Sequence, residues 1–237
     1  MKLERTLTLL AAVSVLCGAG AAFAQAANDF PGNLTINGSM DFVDADGRPS
    51  AQGGVHFAGD PEAALAGWTF LDPAPSAEYW ASFQTQASPD GGSYLGIQDL
   101  DGAGPRVNVQ GITQTISGLT VGEEYALWFW SMSNHDGHGV QDWSVTFGDQ
   151  TQTSAQTTPN ADGSGTWTLT VTGFVASATS QALTFVPEYL PGSESEVLDL
   201  DGVVLVDIPP VPEPPDGALL LAGLGGAMAF ARLRRTR

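Results

Sequence analysis

Apolar and polar residues alternate along much of the chain between residues 33 and 208. Trp143, Val145 and Phe147 are apolar, with Asp142, Ser144 and Thr146 between them. Trp167, Leu169 and Val171 alternate with Thr166, Thr168, Thr170 and Thr172. A period of two marks half-buried strands with one wet face. The run Tyr125 to Met132 is apolar on both faces, which predicts an inner strand covered on each side. No stretch in this interval sustains a helical period. The pattern predicts strands near 33–36, 38–43, 54–58, 67–71, 79–87, 93–98, 106–117, 123–133, 141–148, 150–157, 165–173, 181–187 and 197–207. Asp90-Gly91-Gly92, Asp101-Gly102, Asp136-Gly137 and Asp162-Gly163 punctuate it as turns, because Asp and Gly tolerate the backbone angles turns require. Many short strands with frequent turns give an all-β expectation: a β-sandwich or jelly roll over 25–208.

Both ends depart from this pattern. Lys2 and Arg5 precede an apolar run from Leu7 to Ala22, and Ala22-Phe23-Ala24 is a small-x-small site. That order predicts a secretory signal peptide over 1–24, with a mature start at Gln25. Cys17, the single cysteine of the 237 residues, lies inside it; Leu16 before it does not suit a lipoprotein anchor. Residues 209–216 are proline-rich and predict a stiff linker. From Gly217 to Ala231 the chain is apolar, and Arg232, Arg234, Arg235 and Arg237 follow. We expect 217–237 to be a single C-terminal membrane helix, short enough that its arginines snorkel to the interface and favour a cytoplasmic end.

Charge sharpens the partition. Only 14% of residues are charged, yet the net charge is −18. Of 26 acidic residues only Glu4 precedes residue 25, and only Arg48 and Arg106 of the 8 basic residues lie in 25–216. The body therefore carries 2 − 25 = −23. A nucleic-acid partner is excluded, since that role needs clustered Lys and Arg. A disulfide framework within the chain is excluded by the lone cysteine.

Val211-Pro212-Glu213-Pro214, the apolar run and the Arg-rich end occur in the order of the PEP-CTERM sorting signal, which the tail from 209 to 237 resembles. The resemblance implies export through the Sec translocon and cleavage by signal peptidase. It further implies a transient inner-membrane anchor, processing by an exosortase-type protease, and delivery to the surface or matrix of a Gram-negative, exopolysaccharide-making cell. Pro215 and Asp216 depart from the residues commoner after the motif. A second resemblance covers most of 33–207. Asn37-Gly38-Ser39-Met40-Asp41, Gly67-Trp68, Gly92 to Ile97, the string from Ile112 to Tyr125 and the closing Leu198 to Val206 are similar to the galactose-binding-like jelly rolls. Many of these are carbohydrate-binding modules. Gln114-x-Ile116-x-Gly118-Leu119-x-x-Gly122-x-x-Tyr125 is the most specific part.

That resemblance implies a structural calcium joining the first and last strands, mapped by position onto Asp41 and Asp201 with Asp199 nearby. Asp44 and Asp46 form a second acidic cluster without the rest of an EF-hand. For each the alternative is a solvated turn acid. Sugars pack on exposed aromatic faces beside carboxylates and amides. Trp143 and Trp167 are expected in the core. Trp128 and Trp130 share the face opposite Leu127 and Phe129, where they line a groove or lie beneath loops. Trp80 is a further candidate for an outward indole. His135 and His138 flank Asp136 in a loop that could hold a transition metal or serve only as a connection. Glu194 and Glu196 are the nearest paired carboxylates, without the differently tuned environments glycoside hydrolysis needs. The expectation is a non-catalytic, exported polysaccharide-binding or -organising protein. The alternatives are a purely structural calcium-stabilised surface protein and, more remotely, a glycan-active enzyme.

Overall fold

The computed structural model describes residues 26–43, 55–57, 64–71, 78–80, 87–98, 111–134, 140–189 and 197–208. The signal-like start, residues 209–237, the histidine loop at His135 and His138, Asp44, Asp46, Glu194 and Glu196 all lie outside them. Among the described residues no helix is long and apolar enough to cross a membrane.

The strands are β1 (Phe42–Val43), β2 (Val55–Phe57), β3 (Ala64–Leu65), β4 (Thr69–Phe70), β5 (Glu78–Trp80), β6 (Leu95–Gln98) and β7 (Ile112–Ser117). They continue with β8 (Glu124–Asn134), β9 (Gln141–Phe147), β10 (Gln150–Thr153), β11 (Thr168–Val175), β12 (Ser180–Tyr189) and β13 (Val197–Asp207). One sheet has the order β10-β9-β12-β7-β4 and the other β11-β8-β13-β6-β5-β2, with β1 and β3 forming a separate ribbon. All pairings are antiparallel. From β6 to β9 each strand lies in the other sheet from the one before, and β10 to β13 alternate in the same way. The sandwich is therefore wrapped rather than meandering.

The alternation read from the sequence sets the layers. Trp143, Val145 and Phe147 of β9 are buried, as are Leu127 and Phe129 of β8, Leu183 and Phe185 of β12, and Leu198 and Leu200 of β13. They form one core between the sheets. Phe185 is its hinge point, meeting Phe129 edge-on at 5.1 Å and Trp143 at 6.1 Å. The inner strand β8 is covered on both sides, as its two apolar faces require. Ala126 and Trp128 belong to a second cluster with Ala27, Val204 and Val206 on the outer side. Phe30 stands edge-on to Trp128 at 4.9 Å.

The Gln114-to-Tyr125 string forms the β7–β8 corner. Gly118 (φ 82°) and Gly122 (φ 89°) take the left-handed conformations of its turns. The Tyr125 hydroxyl accepts the Thr120 amide at 2.9 Å. The buried Gln114 amide reaches across the molecule. Its Oε1 accepts the Ile36 N–H at 2.8 Å, and its Nε2 donates to the Ile36 and Gly67 carbonyls, each at 2.9 Å.

The expected strand at 33–36 is absent. Asn33 Oδ1 accepts both the Thr35 amide and the Thr35 hydroxyl, which curls the chain into a local turn. The segment still pairs: Leu34 N–H donates to Leu205 O at 2.8 Å and Val203 N–H to Gly38 O at 2.8 Å. Strand β3 is too short for an alternation to reveal, and β10 ends at Thr153 rather than 157, leaving one isolated bridge from Gln141 to Thr157.

Candidate functional site

The closing strand β13 carries a bulge. Asp201 pairs with Trp130 and Val204 with Trp128, so β13 uses three steps where β8 uses two. Bulges re-aim side chains and often mark functional positions. The inner side of this bulge is consumed structurally: the Val203 carbonyl accepts Thr35 Oγ1 at 2.9 Å and Asn33 Nδ2 at 3.2 Å. Its outer side carries Asp201 and Gly202.

Gly202 has φ 58°, and a Cβ there would stand 2.9 Å from Trp130 Cδ1 and 3.8 Å from Asp90 Oδ2. The missing side chain is what lets the Trp130 indole and the Asp90 carboxylate share this spot. Trp130 is only half-buried. Asp90 comes from the Ser88–Gly92 turn, closed by Gly91 and Gly92 at positive φ. Ala27 N–H donates to Asp90 Oδ2 at 3.1 Å and Ser88 Oγ to Asp90 Oδ1 at 3.0 Å. The same Ser88 hydroxyl reaches Asp201 Oδ2 at 2.5 Å and Gly91 O at 3.1 Å. Asp201 Oδ1 accepts the Gly202 amide at 2.8 Å.

Asp201 has no solvent exposure. Burial, then the neighbouring Asp90 charge, pushes its carboxyl well above the usual carboxylate range, against the bonds from Ser88 and Gly202. Asp41 lies across the Gly91-Gly92 turn. The Asn37 side chain holds it from both sides, donating to Asp41 O at 2.8 Å and accepting Asp41 N–H at 3.0 Å. Asp41 Oδ1 accepts the Ser93 amide at 3.2 Å. Burial raises this carboxyl, the Ser93 amide opposes the rise, and Asp90 adds to it. The described residues contain no lysine or arginine, so no basic side chain among them balances these acids.

The chemistry of the donor set suits a hard cation: the Asp90 and Asp201 carboxylates, the Ser88 hydroxyl and the Gly91 carbonyl are all oxygens. Among the described residues no group of three or more His, Cys, Asp or Glu converges tightly enough to hold a metal ion. Asp41 is therefore a neighbour of the Asp90–Asp201 pair rather than part of one shell with it. Asp199 is buried, and its main-chain carbonyl accepts Trp143 Nε1 at 3.3 Å. Sequence reasoning missed Asp90, because Asp-Gly-Gly reads as a turn whether or not its acid is used.

The indoles divide. Trp143 is fully buried in the core. Trp128 is only 3% exposed, because Phe30 and Ala27 lie over it, so it offers no groove. Trp167, expected in the core, instead precedes β11 and is half-buried, because the apolar face it starts, continued by Leu169 and Val171, aligns with Trp130 and Trp128 on the outer side of the sheet. Its Nε1 donates to Ala87 O at 2.9 Å, and its ring meets Tyr94 edge-on at 5.1 Å. It thus ties the segment before β11 to the segment that bears Ser88 and Asp90. Trp80 pairs with Gly96 in the β5–β6 register; its side chain lies outside the described set. What remains is Trp130 beside Asp90 on the outer face of the six-stranded sheet.

No family model matches the chain. A search of curated proteins finds Halomucin of Haloquadratum walsbyi, 29% identical over 192 residues, which is 79% of this chain and 2% of that protein. The chain thus spans about 2% of the length of the curated relative it matches. Similar solved structures include the N-terminal xylanase 10B of Clostridium thermocellum, comprising a family-22 carbohydrate-binding module and a family-10 glycoside hydrolase module with xylohexaose. That likeness has a TM-score of 0.44 and 13% identity, over 77% of this chain and 30% of that one. A family-22 xylan-binding domain gives 0.41 and 15%, over 69% and 99%. The enzymatically active domain of tailspike protein 4 from bacteriophage CBA120 gives 0.40 and 15%, over 74% and 21%.

Proposed function

We propose that this chain is an exported, non-catalytic jelly-roll protein that binds extracellular polysaccharide on the outer face of its six-stranded sheet. A calcium ion held at Asp90 and Asp201, with Asp41 as its neighbour, fixes the loops that frame that face. The observation that carries the reading is the half-exposed Trp130 indole, kept beside the Asp90 carboxylate by the absence of a side chain at Gly202. An aromatic face takes the apolar face of a sugar, and an adjacent carboxylate takes its hydroxyls. The wrapped connectivity and the Gln114-to-Tyr125 corner support the jelly-roll reading. Export by Sec and signal peptidase, exosortase processing at Val211–Pro214 and membrane anchoring through 217–237 belong to the same proposal, on the strength of the sequence motifs.

A calcium-stabilised surface protein without glycan binding is the second reading, favoured by the burial of Trp128. An enzyme fits least. Asp201, whose carboxyl is raised well above the usual range, has no solvent face, so it cannot reach a glycosidic oxygen. A glycan array probed with the full chain and with Trp130→Ala tests the proposal. Binding lost in the variant, with the unfolding midpoint kept, supports it. Equal signals from both proteins overturn it.

A further inference from the structure

The outer face of the five-stranded sheet carries a feature that alternation alone does not demand. Register aligns Thr151 with Thr146, Thr146 with Thr184, Thr184 with Thr113, and Thr113 with Thr69. One threonine from each of the five strands thus stands in a single rank running straight across the sheet. All five are exposed or half-buried. Neighbouring hydroxyls meet at 2.9 Å in two pairs, Thr146 with Thr151 and Thr113 with Thr184. Four residues along β7 and β12 from the rank, Ser117 and Ser180 form another hydroxyl pair at 3.0 Å. In a chain of net charge −18, this rank is free of charge. The nearest acid along these strands is Asp149, in the β9–β10 turn two residues before Thr151; Asp142 and Glu188 are aligned with each other four residues further along β9 and β12.

We propose that this rank is a second glycan-facing surface, on the opposite side of the sandwich from Trp130, and that it takes an extended, uncharged polysaccharide laid across the strands. The choice of glycan as ligand rests on the function proposed above; the rank itself does not. Strands lie about 4.8 Å apart, so five threonines present a line of hydroxyls roughly 19 Å long. Each hydroxyl offers one O–H and two lone pairs; Thr113 also donates to the Leu183 carbonyl at 3.3 Å, while the other four, with at most one bond to a neighbour in the rank, keep most of that capacity facing solvent. A repeating polymer of hydroxyls is the complement of such a line. Sheet twist of about 20–25° per strand rules out a flat crystalline lattice, whereas a single chain can wind with it. The absence of charge in the rank, within a body of −23, favours a neutral glycan over an anionic one. With no aromatic ring in the rank, each sugar is held weakly and affinity grows with chain length. Two such surfaces, back to back, make the domain a bridge between polysaccharide chains.

The test uses the full chain with Trp130→Ala, the triple variant Thr113→Val/Thr146→Val/Thr184→Val, and all four substitutions combined. Valine keeps the β-branch and the methyl while removing the hydroxyl. Thr184→Glu is a backup that puts charge in the middle of the rank. The probes are a linear neutral β-glucan, its short oligosaccharides and an anionic uronate polymer, read by affinity-gel retardation. Trp130→Ala is expected to keep residual, length-dependent retardation by the neutral polymer. The combined variant is expected to lose about tenfold or more of that affinity with its unfolding midpoint kept, and Thr184→Glu in the Trp130→Ala background to behave alike. Residual binding that survives the valines and Thr184→Glu overturns the rank. So do complete loss of binding in Trp130→Ala alone, which leaves the Trp130 site standing, and retardation only by the uronate polymer. Retardation indifferent to Trp130→Ala but lost with the valines keeps the rank and removes the Trp130 site. A dimer that the valines convert to monomer assigns the face to a second copy and overturns the proposal.

Discussion

Two corners of the sandwich join the N-terminal segment to the rest of the protein, and they do so with opposite chemistry. At the Gln114 corner a neutral amide satisfies three main-chain groups of residues 36 and 67, while the Trp68 indole donates to Asn37 O at 3.2 Å. At the Asp90 corner the Ala27 amide is tied to a carboxylate that crowds a second, fully buried carboxylate. The first corner is complete as built. The second holds charge with no basic side chain among the described residues to offset it, an arrangement that costs stability unless a proton or a cation is present. Groups paired without uncompensated charge mark scaffold, and the uncompensated charge beside a half-exposed ring is what singles out the proposed site.

The largest effects should break the scaffold. Trp128→Ala removes an indole packed between Phe30 and the sheet and is expected to cost about 3–5 kcal/mol in denaturant unfolding. Gln114→Ala removes three hydrogen bonds to the main chain of Ile36 and Gly67 and should cost about 2–4 kcal/mol, at a net of about 0.5–1.5 each. Neither should change the response to calcium beyond what the lost stability explains.

The middle effects should sharpen the acid corner. Calcium is expected to raise the unfolding midpoint of the full chain and chelator to lower it, because a ligand bound only by the folded state stabilises that state. Asp90→Asn/Asp201→Asn should abolish the difference. An equal response in that double variant would place the ion elsewhere.

A smaller effect follows from the raised carboxyls of Asp201 and Asp41. An acid whose folded value is raised binds its proton more tightly in the folded state. In chelator its contribution is therefore fully present below the unfolded value of about 3.9 and is lost as pH rises through the folded one. Thermal melts in chelator should show this pair's contribution falling from pH 4 upward, and Asp201→Asn should flatten that slope. With calcium present the slope should reverse, because the ion needs the deprotonated carboxylates. A calcium response that is flat with pH would contradict the assignment.

The sequence reveals much of the scaffold and names only one of the two acids of the proposed calcium site. Strict alternation places the core residues of β9, and the two-faced run of β8 announces a covered strand; on β11 the alternation points the wrong way, since Leu169 and Val171 align with Trp130 and Trp128 on the outer side while Thr170 is buried. The turn at Asn33 escapes detection because an Asx bond, not hydrophobicity, bends the chain there. The Gln-to-Tyr string points to a fold and proves to be a corner, its Gln spanning segments 47 and 78 residues away in sequence. Asp201 is anticipated from its place on the last strand. Asp90 is not, because its role arises from a bulge that brings β13 to the Ser88 turn, and register shifts leave no mark in an apolar-polar pattern. The fate of the indoles is decided by what covers each one: Phe30 lies over Trp128, whereas Gly202 puts no side chain beside Trp130.

Binding of the full chain to a panel of neutral polysaccharides, measured beside Trp130→Ala at matched folded fraction, addresses the account at its centre. It predicts that the indole substitution weakens binding at least about tenfold, the scale of a lost aromatic anchor, while the unfolding midpoint stays within about 2 °C. Undiminished binding by the variant would contradict it.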